Sequence, residues 1–350
     1  MSDHIQDLHL RSKPQRRMWQ NFLTERGIDV FNDTEIDVID ETIGLLDDHD
    51  QLVGTGSIAG DVIKYIAVQN EDGASGSRFN TVVSELVSRL AQRGVFHILV
   101  FTKPKYTDSF EHVGFTKLAD SDQGVLLEKG EPNIQTYLAE IPKVPAGKEI
   151  AGIVMNANPF TLGHRYLVET AARENDVVYV FVVNQDASLF KTSERVELVK
   201  AGTQDLENVI VVNGGSYMVS YATFPAYFIS SPDAVVDYQT TLDARLFKNW
   251  IAKDLHIQTR YLGSEPYSHT TDLYNQALQR ELPPEVQVKI IPRKELGSGD
   301  AISATSVRKA IEEDRISQIE NRVPETTYQF IVNHKSELQD RIKKGKKDGD

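Results

Sequence analysis

Hydrophobic residues recur in two rhythms along the chain, and the change from one to the other divides it. In the first part, residues 51–58 and 61–68 are strand-like, with Val62, Tyr65 and Ala67 among β-branched neighbours. Residues 78–93 set Phe79, Val82, Val83, Leu86, Val87 and Leu90 at three- and four-residue steps, the period of an amphipathic helix, and Gly94 ends it. A buried strand over 96–102, a helix over 106–112 and a short strand after Gly114-Phe115 complete a small α+β unit spanning 1–130. Residues 131–148 carry Pro132, Pro142, Pro145 and Gly147 without a long apolar period and read as a linker.

From residue 149 strand and helix alternate. Apolar or β-rich runs at 149–155, 177–183, 209–212, 259–263 and 286–292 read as parallel strands covered on both faces. Helical patterns fall between them at 163–172, 193–203, 240–255 and 270–282. In the third, Leu242, Leu246, Trp250 and Leu255 share a face with Phe247 and Ile251. Such alternation predicts an α/β domain over 149–340 built on a Rossmann-like, doubly wound parallel sheet, with ligands beyond the C-terminal strand ends. Helices, one over 326–338, finish it, and the lysine-rich stretch 341–350 reads as a polar tail.

Composition narrows the function classes. The chain has 350 residues, 40% hydrophobic and 25% charged, which suits two folded cores. A formal charge of −13 argues against general nucleic-acid or anionic-membrane binding, yet leaves room for one local basic pocket. There is no cysteine, so no thiolate nucleophile, disulfide or Cys-based zinc site exists, and any thiol in the chemistry belongs to another molecule. No apolar stretch suggests a leader or a membrane span, and a cytoplasmic enzyme is expected.

The candidate chemistry lies in Met155-Asn156-Ala157-Asn158-Pro159-Phe160-Thr161-Leu162-Gly163-His164, where a buried strand gives way to a helix. A helix N-terminus offers N–H groups and the positive end of a dipole, which suits phosphate. Gly163 has no Cβ to keep a phosphate away, His164 can aim its imidazole at a phosphoryl oxygen, and Thr161 can add a hydroxyl. Asn156 and Asn158 of the same turn join them as candidate nucleotide contacts. A second element, Ile302-Ser303-Ala304-Thr305-Ser306-Val307-Arg308, follows Gly297-Ser298-Gly299. Ser303, Thr305 and Ser306 suit a helix cap, and their hydroxyls and N–H groups can hold phosphates beside the forked charge of Arg308. Lys191, in Phe190-Lys191-Thr192-Ser193-Glu194-Arg195, reads as a triphosphate contact or a solvated loop lysine, and Arg195 as a structural residue at a helix start. Gly263, in Gly263-Ser264-Glu265-Pro266, reads as the rim of the site or a plain turn.

The Thr161–His164 stretch resembles the T/HxGH signature of the nucleotidyltransferase superfamily, and Ile302–Arg308 resembles its ISSTxxR motif. Over nearly the full chain the combination resembles the citrate lyase ligases. The pieces that carry this are Phe101-Thr102-Lys103-Pro104-Lys105-Tyr106, Phe110, Gly114-Phe115, Met155 to His164, Gly263-Ser264-Glu265-Pro266-Tyr267 and Ile302 to Arg308. The resemblance implies an N-terminal GNAT-like (acetyltransferase-like) unit ahead of the nucleotidyltransferase domain. It implies that acetate attacks ATP to give acetyl-AMP and pyrophosphate. The acetyl group would then pass to the prosthetic-group thiol of the citrate lyase acyl carrier subunit, activating the lyase. Mg²⁺ would accompany ATP, held by phosphates and water, with no protein ligand assigned. Catalysis would fall to His164 and Arg308.

One stretch departs from the acetyltransferase pattern. Gln69-Asn70-Glu71-Asp72-Gly73-Ala74-Ser75-Gly76-Ser77-Arg78 sets two acidic residues where a pyrophosphate loop would lie, which argues against independent acetyltransferase activity. The unit would recognise the carrier's CoA-like arm or only a protein surface. Two rival readings stand beside the ligase. One is a bifunctional N-acetyltransferase and adenylyltransferase acting on a pantetheine- or nicotinamide-type substrate. The other is a nucleotide-sensing regulator without catalysis.

Overall fold

A computed structural model describes residues 3–31, 33–69, 75–184, 188–218, 224–264, 269–292 and 302–345. Part of the acidic loop at 69–78, Glu265-Pro266-Tyr267, Gly297-Ser298-Gly299 and the last lysines lie outside the described residues. The chain forms two units, one of residues 1–137 with 224–246, the other of 138–223 with 247–350.

The first unit is built on a seven-stranded sheet of β1 (His4–Asp7), β2 (Glu41–Leu46), β3 (Leu52–Ala59), β4 (Val62–Val68), β5 (His97–Thr102), β6 (Thr116–Asp120) and β7 (Val125–Gly130). Their order is β1-β2-β3-β4-β5-β7-β6, antiparallel except for a short parallel pairing of β4 with β5. The helix Ser75–Gln92 buries Phe79, Val82, Val83, Leu86 and Leu90, the stripe its period predicts. It lies close to the sheet because Gly56 of β3 has no side chain; a Cβ there would stand 2.6 Å from Leu86. β1, β2, β7 and the helix Lys13–Thr24 are additions to the elements the pattern marks.

Three expectations change at the boundaries. The proline-rich stretch 131–148 is not simply a linker: it holds the helix Ile134–Glu140, and Ile134, Leu138 and Ile141 are buried. Those residues stand at four- and three-residue steps, a short helical period hidden by the surrounding prolines. The helix expected over 240–255 begins earlier, as Pro232–Leu246, and its residues count with the first unit. The reason is aromatic: Phe224 packs against Phe101 and Tyr227 against Tyr65, their rings tilted, and the Tyr227 hydroxyl donates to the Phe101 carbonyl at 2.9 Å. Its continuation, Phe247–Ala252, is a π-helix in the second unit. Third, residues 341–343 are not tail but the end of the helix Lys335–Lys343, with Ile342 buried in the core.

The second unit carries a five-stranded sheet of β8 (Ile150–Met155), β9 (Val177–Val182), β10 (Val209–Asn213), β11 (Thr259–Gly263) and β12 (Gln287–Ile291). All pairings are parallel and the order is β10-β9-β8-β11-β12. The first strand of the unit is therefore central, and the order reverses between β8 and β11, which makes this the switch point. All six residues of β9 are buried, as a strand covered on both faces requires. One face packs on the helices Leu162–Glu174 and Thr192–Gly202 through Val168, Ala171, Val196 and Val199. On the other, Gly152 leaves room for Phe247, whose ring would stand 3.1 Å from a Cβ. These are the two folds that the sequence pattern predicts, an α+β unit followed by a doubly wound parallel sheet.

Candidate active site

The C-terminal end of β8, beside the switch point, leads into the turn Asn156–Phe160. Its backbone is under strain: Ala157 is buried and has φ +52°, a conformation that L side chains rarely adopt. A network of hydrogen bonds holds it there. Arg195, fully buried on the helix Thr192–Gly202, donates through Nη1 to the Asn156 carbonyl (2.7 Å), Asn156 Oδ1 (2.8 Å) and the Val183 carbonyl (2.7 Å). Its Nε donates to the Phe190 carbonyl (3.0 Å) and Nη2 to Thr192 Oγ1 (2.9 Å). Asn158 Oδ1 accepts from the Phe190 N–H at 3.0 Å. Asn158 is 1% exposed, and its Nδ2 finds no acceptor among the described residues. A buried donor left in this state suits a site that an acceptor-rich ligand completes.

The turn ends in a reciprocal cap. Thr161 is the N-cap of the helix Leu162–Glu174, and His164 stands at its third position. The Thr161 N–H donates to His164 Nδ1 at 3.0 Å, while the His164 N–H donates to Thr161 Oγ1 at 3.4 Å. Because Nδ1 accepts, the neutral ring carries its proton on Nε2. The imidazole also lies parallel to Phe160, centroids 5.9 Å apart. Capping thus fixes which nitrogen donates and the plane it donates in. The hydroxyl of Thr161 is itself engaged, 2.9 Å from Nδ1.

The second motif sits against the first. Ser303 caps the helix Ala304–Glu312 by accepting from the Ser306 N–H at 3.1 Å. Gly163 faces this stretch: a Cβ there would stand 3.3 Å from the Ile302 carbonyl oxygen. Arg308, 5% exposed, donates through Nη1 to the Asn158 carbonyl at 2.7 Å and through Nη2 to Thr305 Oγ1 at 3.1 Å. Arg322 joins the two helix starts. Its carbonyl accepts from the Leu162 N–H at 2.9 Å, and its Nη1 donates to Ser306 Oγ at 3.2 Å. The helix start at Leu162 therefore offers fewer open donors than a bare N-terminus. Among the described residues, the N–H groups of Gly163, Ala304 and Thr305 donate to no backbone acceptor.

Asn156, Asn158, Thr161, Gly163, His164, Ser303, Thr305, Ser306 and Arg308 are thus drawn into one connected region around the β8 turn. Two candidates stand apart. Lys191 is exposed, 3.9 Å from Glu337 Oε1. Gly263 is exposed at the end of β11, with nothing within 4 Å of a Cβ, so no close approach demands a glycine there. Arg195, read from the sequence as a structural residue at a helix start, organises the turn as expected, and Arg322 is an organising residue that the motifs do not single out. Arg195 had a signal: with Leu198, Val199 and Gly202 it stands on the buried stripe of its helix, an unusual place for a charge. Arg322 had none, since it acts through its backbone as much as its side chain.

The family described as citrate lyase ligase C-terminal domain matches residues 150–331. The [citrate [pro-3S]-lyase] ligase of Klebsiella pneumoniae is 33% identical over 330 residues, covering 92% of this chain and 94% of that protein. This chain belongs to the citrate lyase ligase family. The ligase of Haemophilus influenzae is 36% identical over 292 residues, covering 81% of this chain and 87% of its own. Weaker likenesses exist among solved structures. A GNAT-family acetyltransferase from Staphylococcus aureus covers 37% of this chain and 99% of its own, at 10% identity and TM-score 0.30. Pantoate-beta-alanine ligase from Francisella tularensis covers 59% and 84%, at 14% identity and TM-score 0.35. In this citrate lyase ligase family member, no described helix is long and apolar enough to cross a membrane. No group of three or more metal-ligating side chains gathers among its described residues.

Proposed function

We propose that this chain activates citrate lyase by an ATP-dependent acetylation of the lyase's acyl carrier subunit. ATP binds over the β8 turn, between His164 and the Ser303–Arg308 helix start. An acetate oxygen attacks the α-phosphorus, the bond to pyrophosphate breaks, and acetyl-AMP forms. The thiol of the carrier's prosthetic group then attacks the acetyl carbonyl, loses its proton, and AMP leaves. The absence of cysteine from the chain is consistent with an acceptor thiol on the partner.

The observation that carries this reading is the Thr161–His164 cap, which makes Nε2 the ring's donor at the end of the central strand. Negative charge grows on the phosphoryl oxygens as acetate attacks, and a donor already oriented meets it without reorganising. Arg308 holds the Asn158 carbonyl and keeps a permanent positive charge under the turn. Asn158 Nδ2 and the helix-start N–H groups of Gly163, Ala304 and Thr305 suit phosphate oxygens. Lys191 would complete the triphosphate contacts. Mg²⁺ would accompany ATP on phosphate oxygens and water.

The test is transfer of labelled acetate. With ATP, the label is expected on the carrier subunit, one AMP released per acetyl group, and blocking the prosthetic thiol should leave acetyl-AMP to accumulate. Label reaching the carrier without ATP, or AMP forming without acetate, would overturn the reading.

A further inference from the structure

The helix Lys335–Lys343 reaches back to the segment after β9. Arg341, its side chain 11% exposed, grips Glu194 with both prongs: Nη1 to Oε2 and Nη2 to Oε1, each 2.7 Å. The same Nη1 donates to the Leu189 carbonyl at 3.1 Å. One guanidinium thus straps both ends of residues 189–194. Inside the strap, Glu194 Oε2 accepts from the Lys191 N–H at 2.8 Å, and the Phe190 N–H donates to Asn158 Oδ1 at 3.0 Å. The strap is therefore one bond removed from the turn that carries the site. Burial pushes the Glu194 carboxyl up, but Arg341 and the Lys191 N–H outweigh it and hold it below the usual carboxylate range. Glu337, one turn earlier on the helix, accepts from Arg341 Nη2 at 2.5 Å and faces the exposed Lys191 ammonium at 3.9 Å.

We propose that Arg341 is a positioning residue for ATP, setting residues 189–194 and through Phe190 the Asn158 turn, while Glu337 holds Lys191 until a triphosphate draws it away. This rests on the ATP reading above. The two residues then act in opposite directions. Losing Arg341 releases the segment and leaves the Glu194 charge unpaired beside an anion's site. Losing the Glu337 charge keeps the strap, frees Lys191 and removes a repelling carboxylate. A helix that only stabilised the fold would show the same sign for both.

The test uses the full chain, measuring ATP affinity by titration and KM for ATP by pyrophosphate release, with urea midpoints recorded alongside. Arg341→Ala should raise KM for ATP about tenfold, with kcat falling less than about threefold, as a binding rather than a transition-state contact predicts. Arg341→Lys should recover part, since an ammonium cannot grip two oxygens in a fork and reach a carbonyl as well. Glu337→Gln should lower KM about two- to threefold, the scale of an exposed ion pair. Wild-type affinity in a folded Arg341 variant, or a Glu337→Gln shift in the same direction as Arg341→Ala, overturns the inference while the ATP site stands. A wild-type chain that binds no ATP overturns both.

Discussion

Arg195→Ala should cost the second unit a large share of its stability. The side chain is fully buried and its three nitrogens serve the carbonyls of Asn156, Val183 and Phe190 together with Asn156 Oδ1 and Thr192 Oγ1. A hydrogen bond to a charged group contributes about 1.5–3 kcal/mol net. The contributions do not sum, because Nη1 divides itself among three acceptors and water would re-enter the space left. Breaking a buried charged network costs about 3–5 kcal/mol, and that is the expected loss, against a typical total of about 5–15 kcal/mol. The chain's two tryptophans make the assay specific: Trp19 lies in the first unit and Trp250 in the second. In a Trp19→Phe background, fluorescence during urea unfolding reports on Trp250 alone. With a slope of about 1–3 kcal/mol per molar urea, the midpoint should fall by more than about 1 M. Arg195→Lys should recover less than half, since one ammonium cannot span acceptors on both sides of the turn. A midpoint shift under about 0.3 M at unchanged slope would refute the view that Arg195 holds the site's turn.

Arg308→Ala should raise KM for ATP and slow adenylation, roughly 10- to 100-fold, and Lys should restore it incompletely, having no fork to join Asn158 and Thr305; full activity would put triphosphate binding elsewhere. Gly163→Ala should leave the urea midpoint nearly unchanged but cut ATP-dependent activity several-fold, about 3- to 10-fold, because a Cβ 3.3 Å from the Ile302 carbonyl moves the second motif by tenths of an ångström; unaltered kinetics would show that the spacing of the two motifs is not critical. Glu194, held below its reference value of 4.5, contributes stability that is full above that pH and is lost as pH falls through its lower folded value. The stability difference between wild type and Glu194→Gln should therefore be flat from about pH 8 to 5.5 and shrink as pH falls below about 4.5; a difference that does not change with pH across that range would contradict the Arg341 pairing.

Where periodicity was strong, the sequence located elements to within three residues: 78–93 is the helix Ser75–Gln92, and 259–263 is β11. The parallel sheet was legible because its strands are buried on both faces and need no alternation. β1 and β2 were not: His4–Asp7 is four residues long, and Glu41–Leu46 joins glycine to short apolar runs. The membership of residues 224–246 was also hidden, since aromatic contacts to Phe101 and Tyr65 join positions more than a hundred residues apart. At the site, the two motifs announced their residue types but not what each residue holds. Thr161 and Ser303 spend their hydroxyls as caps, and Arg308 grips the turn's own backbone. Arg341 was read as part of a polar tail because a charge-rich terminus is usually solvated. The buried Leu338 and Ile342 beside it were the local cue that the helix continues.

On the reading proposed above, the Thr161–His164 cap presents a fixed donor with which the chain adenylates acetate. ATP–pyrophosphate exchange tests it most directly, because it reads the first half-reaction without the carrier subunit. Exchange should require acetate. In a folded His164→Ala protein it should fall about 10²–10³-fold while ATP affinity changes little, since the donor's contribution grows toward the transition state. His164→Asn, which keeps an N–H donor, should regain part of the rate. Exchange that proceeds without acetate, or at the wild-type rate in folded His164→Ala, would mean that His164 is not the donor for acetate adenylation.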